Sequence, residues 1–475
     1  MNHRLGVVLL AVVSSGGIAR CAHPVAPDEM REAKAIFKQL IEINTTDTTL
    51  GSVTAAAQAM AERFRAAGFP AGDIQVIGPN DRKKNLLLRY RSAAPRKKPV
   101  LIVAHLDVVE ALRSDWTTDP FQFVEKDGYY YGRGTQDMKE DDAILVADLI
   151  RLHREGFQTD RDILLALTAD EEGGTFNGVA WLLEHQPELK QAAFAINPDA
   201  GGIDLEHGRT VSIDVEASEK LYADYDVTAR NRGGHSSLPR PDNAIYELAA
   251  ALEKLARYQF PFELNHVTRA YFAKLAEVEK GPVADDLRAI VKEPPDPAAI
   301  ARLSRTPAFN SNFRTSCVAT RLEGGHAYNA LPQTAAASVN CRILPGHSPE
   351  EVRRQLVEVF ADPELEVKHL GGLGHGSPAE RKPVLPQQPI AEVFTPLTNI
   401  AHSIWPGAPV LPVMENGASD SVYLADAGIP AYGFSAIALE RDDVRAHGRD
   451  ERLPADSFEK GLAFYYDFLR ALGSE

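Results

Sequence analysis

Cysteine is scarce in this chain of 475 residues, and its scarcity excludes two classes of protein. Cys21, Cys317 and Cys341 are the only cysteines. They are too few for a small domain stapled by disulfides or for a cysteine-rich metal site. Long apolar runs are missing too, since none reaches the roughly 20 residues that a membrane-spanning helix needs. We therefore expect no integral membrane segment in the mature protein.

Basic residues are outnumbered by acidic ones. The sequence has 51 Lys and Arg against 66 Asp and Glu, which gives a formal charge of −15 with His neutral. Nucleic acids and anionic membranes are bound by an excess of basic residues, so this balance argues against both partners. The basic cluster Arg82-Lys83-Lys84 is predicted to be a solvated turn. An apolar content of 44% and the chain length indicate a globular protein of roughly two or three domains.

The N-terminus has the pattern of a secretory signal. Arg4 precedes the apolar stretch from Leu5 to Val13, and small residues follow it. This order predicts a signal peptide over residues 1–22, which would make the mature protein secreted or periplasmic. Cys21 lies where a lipoprotein cleavage box would place its cysteine, so lipid anchoring there is a second hypothesis.

Export would leave Cys317 and Cys341 in a compartment where disulfides form. The two cysteines flank a predicted hairpin centred near Asn329, so they could face each other across it. The sequence alone leaves open whether they are bridged.

The middle of the chain alternates strand and helix patterns. Val100 to Ala104, Ile163 to Leu167 and Ala193 to Ile196 are short apolar runs, as expected for strands buried on both faces. Helical patterns separate them, which indicates an α/β domain with a mostly parallel sheet. From Arg209 onward, half-exposed strands and helices indicate a smaller α+β domain inserted into the first. The predicted boundaries are 30–210 and 373–475 for the two parts of the larger domain and 211–372 for the insertion.

Side chains that can bind metal follow each of the three buried strands. His105 and Asp107 end the first strand, Glu171 and Glu172 follow the second, and Asp199 follows the third. Because ligands bind at the carboxyl ends of the strands in open α/β sheets, we expect these side chains to meet. Imidazole and carboxylate donors without a thiolate suit Zn²⁺ in a catalytic site.

Spacing within these motifs indicates separate roles. The side chains of His105 and Asp107 project to the same side of a strand, so the Asp107 carboxylate is predicted to accept the proton of the imidazole nitrogen that faces away from the metal. Glu171 and Glu172 diverge, so one can bind metal while the other stays free as a base. Asp137 adds a carboxylate on a glycine-bearing loop ahead of a helix.

As a set, these motifs resemble metallopeptidase family 20, which includes aminoacylase, carboxypeptidase G and carboxypeptidase S. The resemblance spans roughly residues 35–470. The motifs that carry it are His105-Leu-Asp107, Gly132-Arg-Gly-Thr-Gln-Asp137-Met-Lys139, Asp170-Glu171-Glu172-Gly-Gly174, Asp199-Ala-Gly-Gly202, Gly233-Gly-His235-Ser-Ser237, Asn329-Ala-Leu-Pro332, Arg342-Ile-Leu-Pro-Gly346, Gly417-Ala-Ser-Asp420 and Ala446-His447-Gly448.

The resemblance implies a dizinc peptidase with two Zn²⁺ per subunit, for which Co²⁺ or Mn²⁺ are alternatives. Asp137 would bridge the two ions. His105 and Asp199 would complete one metal site, and Glu172 and His447 would complete the other. A carboxylate bridge offsets the repulsion between two nearby cations and fixes their spacing.

The resemblance also implies the remaining catalytic roles. Glu171 would be the general base that takes a proton from the attacking water and returns it to the leaving amine, with Asp107 as a supporting catalytic residue. His235 would reach a metal centre, that of the partner subunit in a homodimer, and stabilise the oxyanion. Asn329 would add a donor to the same site.

Substrate binding is assigned in the same way. Arg342 would bind the substrate carboxylate with its planar fork, and Asn329 and Gly417 would line the pocket. The inserted domain would act as a lid and dimerisation domain whose closure assembles the site. The chain departs from the family pattern in two places, since Glu140 follows Lys139 where Gly is usual, and Asn340 stands where Asp is frequent.

These observations predict a hydrolase that cleaves the amide bond of a short peptide or an N-acyl amino acid with a free carboxylate, of the carboxypeptidase or dipeptidase type. An N-acyl-amino-acid deacylase of the aminoacylase type is the alternative. A non-catalytic binding protein on the same scaffold is less favoured because Glu171 and every ligand position are filled.

Overall fold

The structure is a computed structural model, and it describes residues 23–371 and 383–474. The predicted signal peptide, the lipidation hypothesis at Cys21 and the predicted boundary at residues 372/373 lie outside the described residues. No helix in the described part of the chain is long and apolar enough to cross a membrane.

The described residues form helices and strands that alternate through much of the chain. The helices are α1 (Pro27–Ile41), α2 (Val53–Ala66), α3 (Lys139–Arg154), α4 (Gly178–His185), α5 (Ala244–Arg257), α6 (His266–Val278), α7 (Pro282–Ile290), α8 (Pro297–Leu303), α9 (Pro307–Phe313), α10 (Pro349–Phe360), α11 (Ala391–Ile404), α12 (Ser421–Asp426) and α13 (Ala455–Gly473). The strands are β1 (Ile74–Ile77), β2 (Asn85–Tyr90), β3 (Val100–His105), β4 (Val124–Lys126), β5 (Tyr129–Tyr131), β6 (Ile163–Thr168), β7 (Ala195–Asn197), β8 (Gly202–Glu206), β9 (Arg209–Glu219), β10 (Leu221–Arg230), β11 (Gly234–His235), β12 (Ser316–Gly324), β13 (Ala330–Leu331), β14 (Thr334–Ile343), β15 (Glu366–Gly371), β16 (Val410–Glu415), β17 (Ala431–Gly433), β18 (Ala438–Glu440) and β19 (Arg452–Pro454).

A large sheet of ten strands carries the α/β part of the fold. Its order is β1-β2-β6-β3-β7-β17-β9-β8-β18, and β16 pairs with β9 beside this path. The central strands β6, β3, β7 and β17 are parallel. Both faces of β3 are covered, since Ile102 packs in the core with α3 and α13 while Leu101 packs in a second core with α4. The predicted α/β fold with a largely parallel sheet is confirmed.

A smaller antiparallel sheet has the order β12-β14-β10-β15. Alternation along β10 gives this sheet two different faces. Ala223, Tyr225 and Val227 pack in a separate core against α5 and α10, whereas Tyr222 and Asp224 are half-buried on the opposite face. This small sheet and its helices are the α+β unit that the sequence pattern indicates.

The chain passes from the large sheet to the small sheet at Lys220, after the predicted boundary at 210/211. β9 was predicted to open the inserted domain, yet it pairs with β8, β16 and β17 of the large sheet. Its apolar residues Ile213, Val215 and Ala217 pack in the large core. Alternation marks a strand with two unlike faces, but it does not say which core the apolar face joins.

The segment between α5 and β12, for which the sequence offers no motif, forms the four short helices α6 to α9. Phe272 and Phe313 belong to a small core of their own within it. Helix α6 also contacts β16, and Val267 joins the core of the large sheet. The segment therefore packs against the larger domain as well as extending the inserted one.

The predicted hairpin around Asn329 is formed by β12 and β14. Cys317 lies directly opposite Cys341 in this pair, and the two cysteines form a disulfide. The bridging hypothesis is confirmed. It ties the edge strand β12 to the strand that carries Arg342.

Candidate functional site

Three neighbouring strand ends bring the polar motifs together. β3 lies between β6 and β7, and all three are parallel. His105 is the last residue of β3, Glu171 and Glu172 follow β6, and Asp199 follows β7. The carboxyl ends of parallel strands meet at one edge of the sheet, so these side chains converge there.

The first group of potential metal ligands is His105, Asp137 and Asp199, whose ligand atoms all lie within 4.8 Å of one another. Nε2 of His105 is 3.1 Å from Oδ1 of Asp137 and 3.5 Å from Oδ1 of Asp199. Burial opposes the charged imidazole, but the two carboxylates outweigh it and raise the pKa of His105 well above its ordinary value.

The second group is Asp137, Glu172 and His447, again with ligand atoms within 4.8 Å. Nε2 of His447 is 2.9 Å from Oδ2 of Asp137 and 2.8 Å from Oε1 of Glu172. These two hydrogen-bonded carboxylates raise the pKa of His447 to about 10. At neutral pH the metal-free imidazole is therefore protonated, and a metal ion that binds there must displace its proton.

The donor set fits a pair of divalent cations. Nε2 of His105 and Oδ1 of Asp137 are buried and face each other at 3.1 Å, yet neither makes a well-aligned hydrogen bond to any described residue. Burial raises the pKa of Asp199, and it raises the pKa of Glu172 to about 7. Clustered carboxylates with orphaned atoms are unfavourable unless cations neutralise them. Histidine and carboxylate ligands are those of catalytic zinc sites.

The role predicted for the Asp107 carboxylate needs a correction. Nδ1 of His105 lies 3.0 Å from the backbone carbonyl of Asp107 but 3.9 Å from its carboxylate. The carboxylate instead accepts the backbone N–H groups of Glu171 and Glu172, at 3.2 and 3.0 Å. The Asp107 carbonyl accepts the hydrogen bond from the imidazole because the chain turns after β3. The Asp107 carboxylate is therefore free to hold the turn that follows the neighbouring strand β6.

The turn that carries Glu171 is also held from its other side. Asp170 has a φ of 60°, and its carboxylate forms a buried ion pair with Lys83. Lys83 is 2.7 Å from Asp47 as well. The prediction of a solvated turn at Arg82-Lys83-Lys84 is therefore wrong for Lys83, which is buried. Its partner Asp170 follows β6 and lies far along the sequence, so composition alone cannot predict this ion pair.

A cavity of about 460 Å³ opens beside both ligand groups. Asp137, Glu171, Glu172, Asp199 and His447 all line it. Arg342 from the small sheet and Gly417 from the loop after β16 also line it, as predicted for substrate-binding residues. The cavity therefore lies between the large and the small sheet.

His235 and Asn329 do not line this cavity. They lie next to each other on the small domain, where the backbone N–H of Ser236 donates to the carbonyl of Asn329 at 3.1 Å. Both residues are exposed. Nδ1 of His235 lies 2.7 Å from Oγ of Ser237. Their action on a partner subunit stays a prediction.

Three residues to which the sequence analysis assigned no role fasten the loop that carries His447 to the loop that carries Asp137. The side chain of Gln136 makes four hydrogen bonds to backbone groups of residues 443–452, with distances of 2.6 to 3.1 Å. Arg133 forms a buried ion pair with Glu451 and donates to the carbonyls of His447 and Gly448 at 3.2 and 3.0 Å. We call Arg133, Gln136 and Glu451 the loop clamp.

Replacing Gln136 with Leu is expected to weaken metal binding at the group that contains His447. The change leaves four backbone groups without their partner, so the loop and its imidazole shift. Outer-shell substitutions typically cost about 10–100-fold in metal affinity. Competition with a fluorescent zinc chelator measures the two affinities separately, and only the affinity of the site that contains His447 is expected to fall.

The exposed Gln158, whose Nε2 donates to the carbonyl of Gly156, offers a matched Gln158→Leu control that should bind both ions as the parent does. Equal weakening of both sites in Gln136→Leu, or no weakening, would contradict the role of the loop clamp.

Comparison with known proteins agrees with the geometry. The sequence profile described as Peptidase family M20/M25/M40 matches residues 101–471. The N-fatty-acyl-amino acid synthase/hydrolase PM20D1 of Xenopus tropicalis is 28% identical over 378 residues, which cover 78% of this chain and 72% of the relative. Aminoacylase-1 of Homo sapiens is 26% identical over 457 residues, which cover 94% of this chain and 97% of the relative.

Solved structures share the fold at low sequence identity. The M20 family metallo-carboxypeptidase Sso-CP2 of Sulfolobus solfataricus has a TM-score of 0.68 and 17% identity over 93% of this chain and 99% of its own. The di-peptidase Dug1p of Saccharomyces cerevisiae has a TM-score of 0.65 and 16% identity over 94% and 97%. YXEP of Bacillus subtilis, a dinuclear metal binding peptidase, has a TM-score of 0.57 and 11% identity over 94% and 99%.

The family profile extends from the first central strand to the last helix, and it covers well over half of the sequence. The motifs that it spans are those that the fold collects at one edge of the large sheet. The chain therefore belongs to peptidase family M20/M25/M40.

Proposed function

We propose that this M20 protein is a dizinc hydrolase that cleaves the amide bond of a short peptide or an N-acyl amino acid with a free carboxylate. The observation that carries the proposal is the pair of ligand groups that share Asp137. Glu171 lines the same cavity as both groups. A pair of metal sites beside a half-buried carboxylate suits the activation of water for attack on an amide.

Each ligand would have a defined task. His105 and Asp199 would hold one ion, Glu172 and His447 the other, and Asp137 both. When bound, the ions would polarise the scissile carbonyl and lower the pKa of water. Zinc suits the donors because it accepts imidazole nitrogen and carboxylate oxygen and needs no thiolate.

Glu171 is placed to move the proton. Its pKa is raised well above the ordinary value by burial and by the nearby Asp199 carboxylate. A base with a raised pKa accepts a proton from the attacking water and can return it to the leaving amine. Asp107 accepts the backbone N–H of Glu171, which keeps the turn beneath this side chain fixed.

Arg342 is placed to select substrates with a free carboxylate. Arg342 lines the cavity, and among the described residues no carboxylate lies within ion-pair distance of its guanidinium. A planar guanidinium that is not already paired with a carboxylate can bind one through two parallel hydrogen bonds. Gly417 lines the wall of the cavity without a side chain that would narrow it.

Both amide classes remain within the proposal. The dipeptidase type is supported by the shared fold with the di-peptidase Dug1p, and the deacylase type by the similarity to aminoacylase-1 over most of both chains. A screen of free-acid dipeptides against N-acyl amino acids, run with and without a chelator, decides between them. Hydrolysis that persists unchanged after complete metal removal would contradict the proposal for both classes.

Replacing Glu171 with Gln should lower kcat by roughly 10²–10⁴-fold, the usual contribution of a general base. The amide keeps the size of the side chain and lies outside both ligand groups, so zinc content should stay near that of the parent. Steady-state kinetics together with elemental analysis measure both quantities. The exposed Glu184 offers a matched Glu184→Gln control, and near-parent turnover in Glu171→Gln would refute the assignment.

We also propose that the protein is a homodimer formed through the small sheet. Val318 and Leu322 on the edge strand β12 are 58% and 69% exposed, and Ile245 packs beside this strand. His235 and Asn329 lie on the same domain and do not line the cavity of their own subunit. In a dimer they could reach the cavity of the partner subunit. An edge strand with exposed apolar side chains and one free side is a ready surface for association.

Replacing Leu322 with Asp should shift the protein from dimer to monomer in sedimentation equilibrium and lower turnover, because His235 would no longer reach a partner. Leu112, which is 55% exposed on the larger domain, offers the control Leu112→Asp. A parent protein that sediments as a monomer while fully active would remove this proposal.

Export is proposed on the N-terminal pattern and is supported by the Cys317–Cys341 disulfide. Such bridges persist in oxidising compartments and are rare in a reducing cytosol. Mass spectrometry of the protein recovered outside the cytoplasm should find a chain that starts near residue 23. An intact N-terminus on cytoplasmic protein would contradict export.

A further inference from the structure

Arg342 does not extend freely into the cavity. Its guanidinium carbon lies 4.6 Å from the centroid of the Tyr222 ring. Tyr222 and Arg342 are directly opposite each other on β10 and β14. A guanidinium at this distance from an aromatic face is attracted by the ring quadrupole, and burial strengthens the attraction. Arg342 is half-buried, and burial lowers the pKa of its guanidinium.

Hydrogen bonds to neighbouring side chains fix the Tyr222 ring. Its hydroxyl donates to Oδ2 of Asp224 at 2.8 Å. The other carboxylate oxygen of Asp224 accepts from Nδ2 of Asn340 at 2.9 Å. Asp224 and Asn340 are the next opposed pair on the same face of β10 and β14. Both oxygens of the carboxylate are therefore occupied by neighbours on the small sheet.

This arrangement gives a reason for Asn at position 340. A second carboxylate there would face Asp224 across the strand pair, and like charges directly opposite each other are destabilising. The amide of Asn340 donates a hydrogen bond instead. Asp224 is thus free to accept from Tyr222, and the side chains of Asn340, Asp224 and Tyr222 form one connected row that ends under Arg342.

We propose that Tyr222 is a positioning residue for Arg342. Its ring, fixed through Asp224 and Asn340, holds the guanidinium in place so that a substrate carboxylate meets an already oriented fork. The proposal rests on the proposed function of Arg342 and adds the residues that set its orientation. An arginine that is ordered before binding loses less rotamer entropy when the substrate arrives.

The position of Tyr222 links this row to the catalytic side of the site. Tyr222 lines a second, smaller cavity together with Glu171 and Ser419, while Arg342 lines the main cavity with Glu171. The row therefore relates the carboxylate-binding group on the small sheet to the proposed base on the large sheet. Loss of the ring should act on substrate binding first, because the Tyr222 hydroxyl bonds to Asp224 and, among the described residues, makes no hydrogen bond to a proposed metal ligand.

The test compares free acids with their carboxamides in the zinc-loaded enzyme. The probes are Ala-Ala, N-acetylalanine and the carboxamide of each. Tyr222→Leu should raise KM for the cleaved free acid at least about tenfold with kcat changed by less than about threefold, the signature of lost binding rather than lost chemistry. Tyr222→Phe keeps the ring but loses the bond to Asp224, so its KM should lie between those of the parent and Tyr222→Leu.

A double substitution shows whether the effect acts through Arg342. In an Arg342→Met background, Tyr222→Leu should cause no further rise in KM, because the guanidinium that Tyr222 would position is absent. The matched control is Tyr258→Leu, which removes a half-buried tyrosine of the same domain that accepts a hydrogen bond from Gln355. Its KM should stay within about twofold of the parent value.

Two results would overturn the proposal. One is an additive loss in the double variant, and the other is an equal loss on acid and carboxamide in Tyr222→Leu. If the parent cleaves neither free acid, the proposed function fails, and a crystal structure of Tyr222→Leu still decides the positioning role. A displaced guanidinium of Arg342 would support the role, and a guanidinium that stays in place would refute it.

Discussion

The site depends on one carboxylate that serves two groups of ligands. Asp137 faces His105 with one oxygen and His447 with the other, at 3.1 and 2.9 Å. The loop clamp ties the loop that carries this aspartate to the loop that carries His447. Without cations the cluster is electrostatically costly, because burial raises the pKa of the surrounding carboxyl groups while the imidazoles hold their protons. Two divalent ions would relieve that cost, and their binding would release the protons of the histidines.

The candidate ligands come from both the N-terminal and the C-terminal parts of the chain. The parallel strands β6, β3 and β7 deliver the early ligands to one edge of the sheet, and the loop clamp of Arg133, Gln136 and Glu451 brings in His447 from far along the sequence. Asp107 and Lys83 hold the turn that carries Glu171, the proposed base, from two sides. The small sheet contributes Arg342 from across the cavity. The candidate ligands, the proposed base and the proposed carboxylate-binding group thus come from different parts of the fold.

Much of this could be predicted from the sequence, because apolar runs and the residues that follow them are local signals. The central strands and the candidate metal ligands at the strand ends follow from such patterns and from the family resemblance. The predicted hairpin allowed Cys317 and Cys341 to face each other but left their pairing open, and the register of β12 and β14 places them directly opposite. The pattern did not reveal which core β9 joins, because an alternating strand looks the same beside either sheet.

The contacts that were missed or misassigned are long-range or depend on backbone direction. Lys83 was predicted to be solvated because its partner Asp170 lies on another strand end. The carbonyl of Asp107, rather than its carboxylate, faces the imidazole of His105 because of the turn after β3. The role of Tyr222 could not be predicted, because a tyrosine on an alternating strand looks like any half-exposed residue until the register places it beside Arg342. Periodicity identifies the face of a strand, and only the register identifies the partner across it.

The central claim is that Asp137 joins two metal sites, and anomalous diffraction at the zinc edge tests it most directly. A crystal of the zinc-loaded protein should show two anomalous peaks, one beside His105 and Asp199 and one beside Glu172 and His447, with the Asp137 carboxylate between them. A single peak, or two peaks of which either lies away from Asp137, would contradict the account.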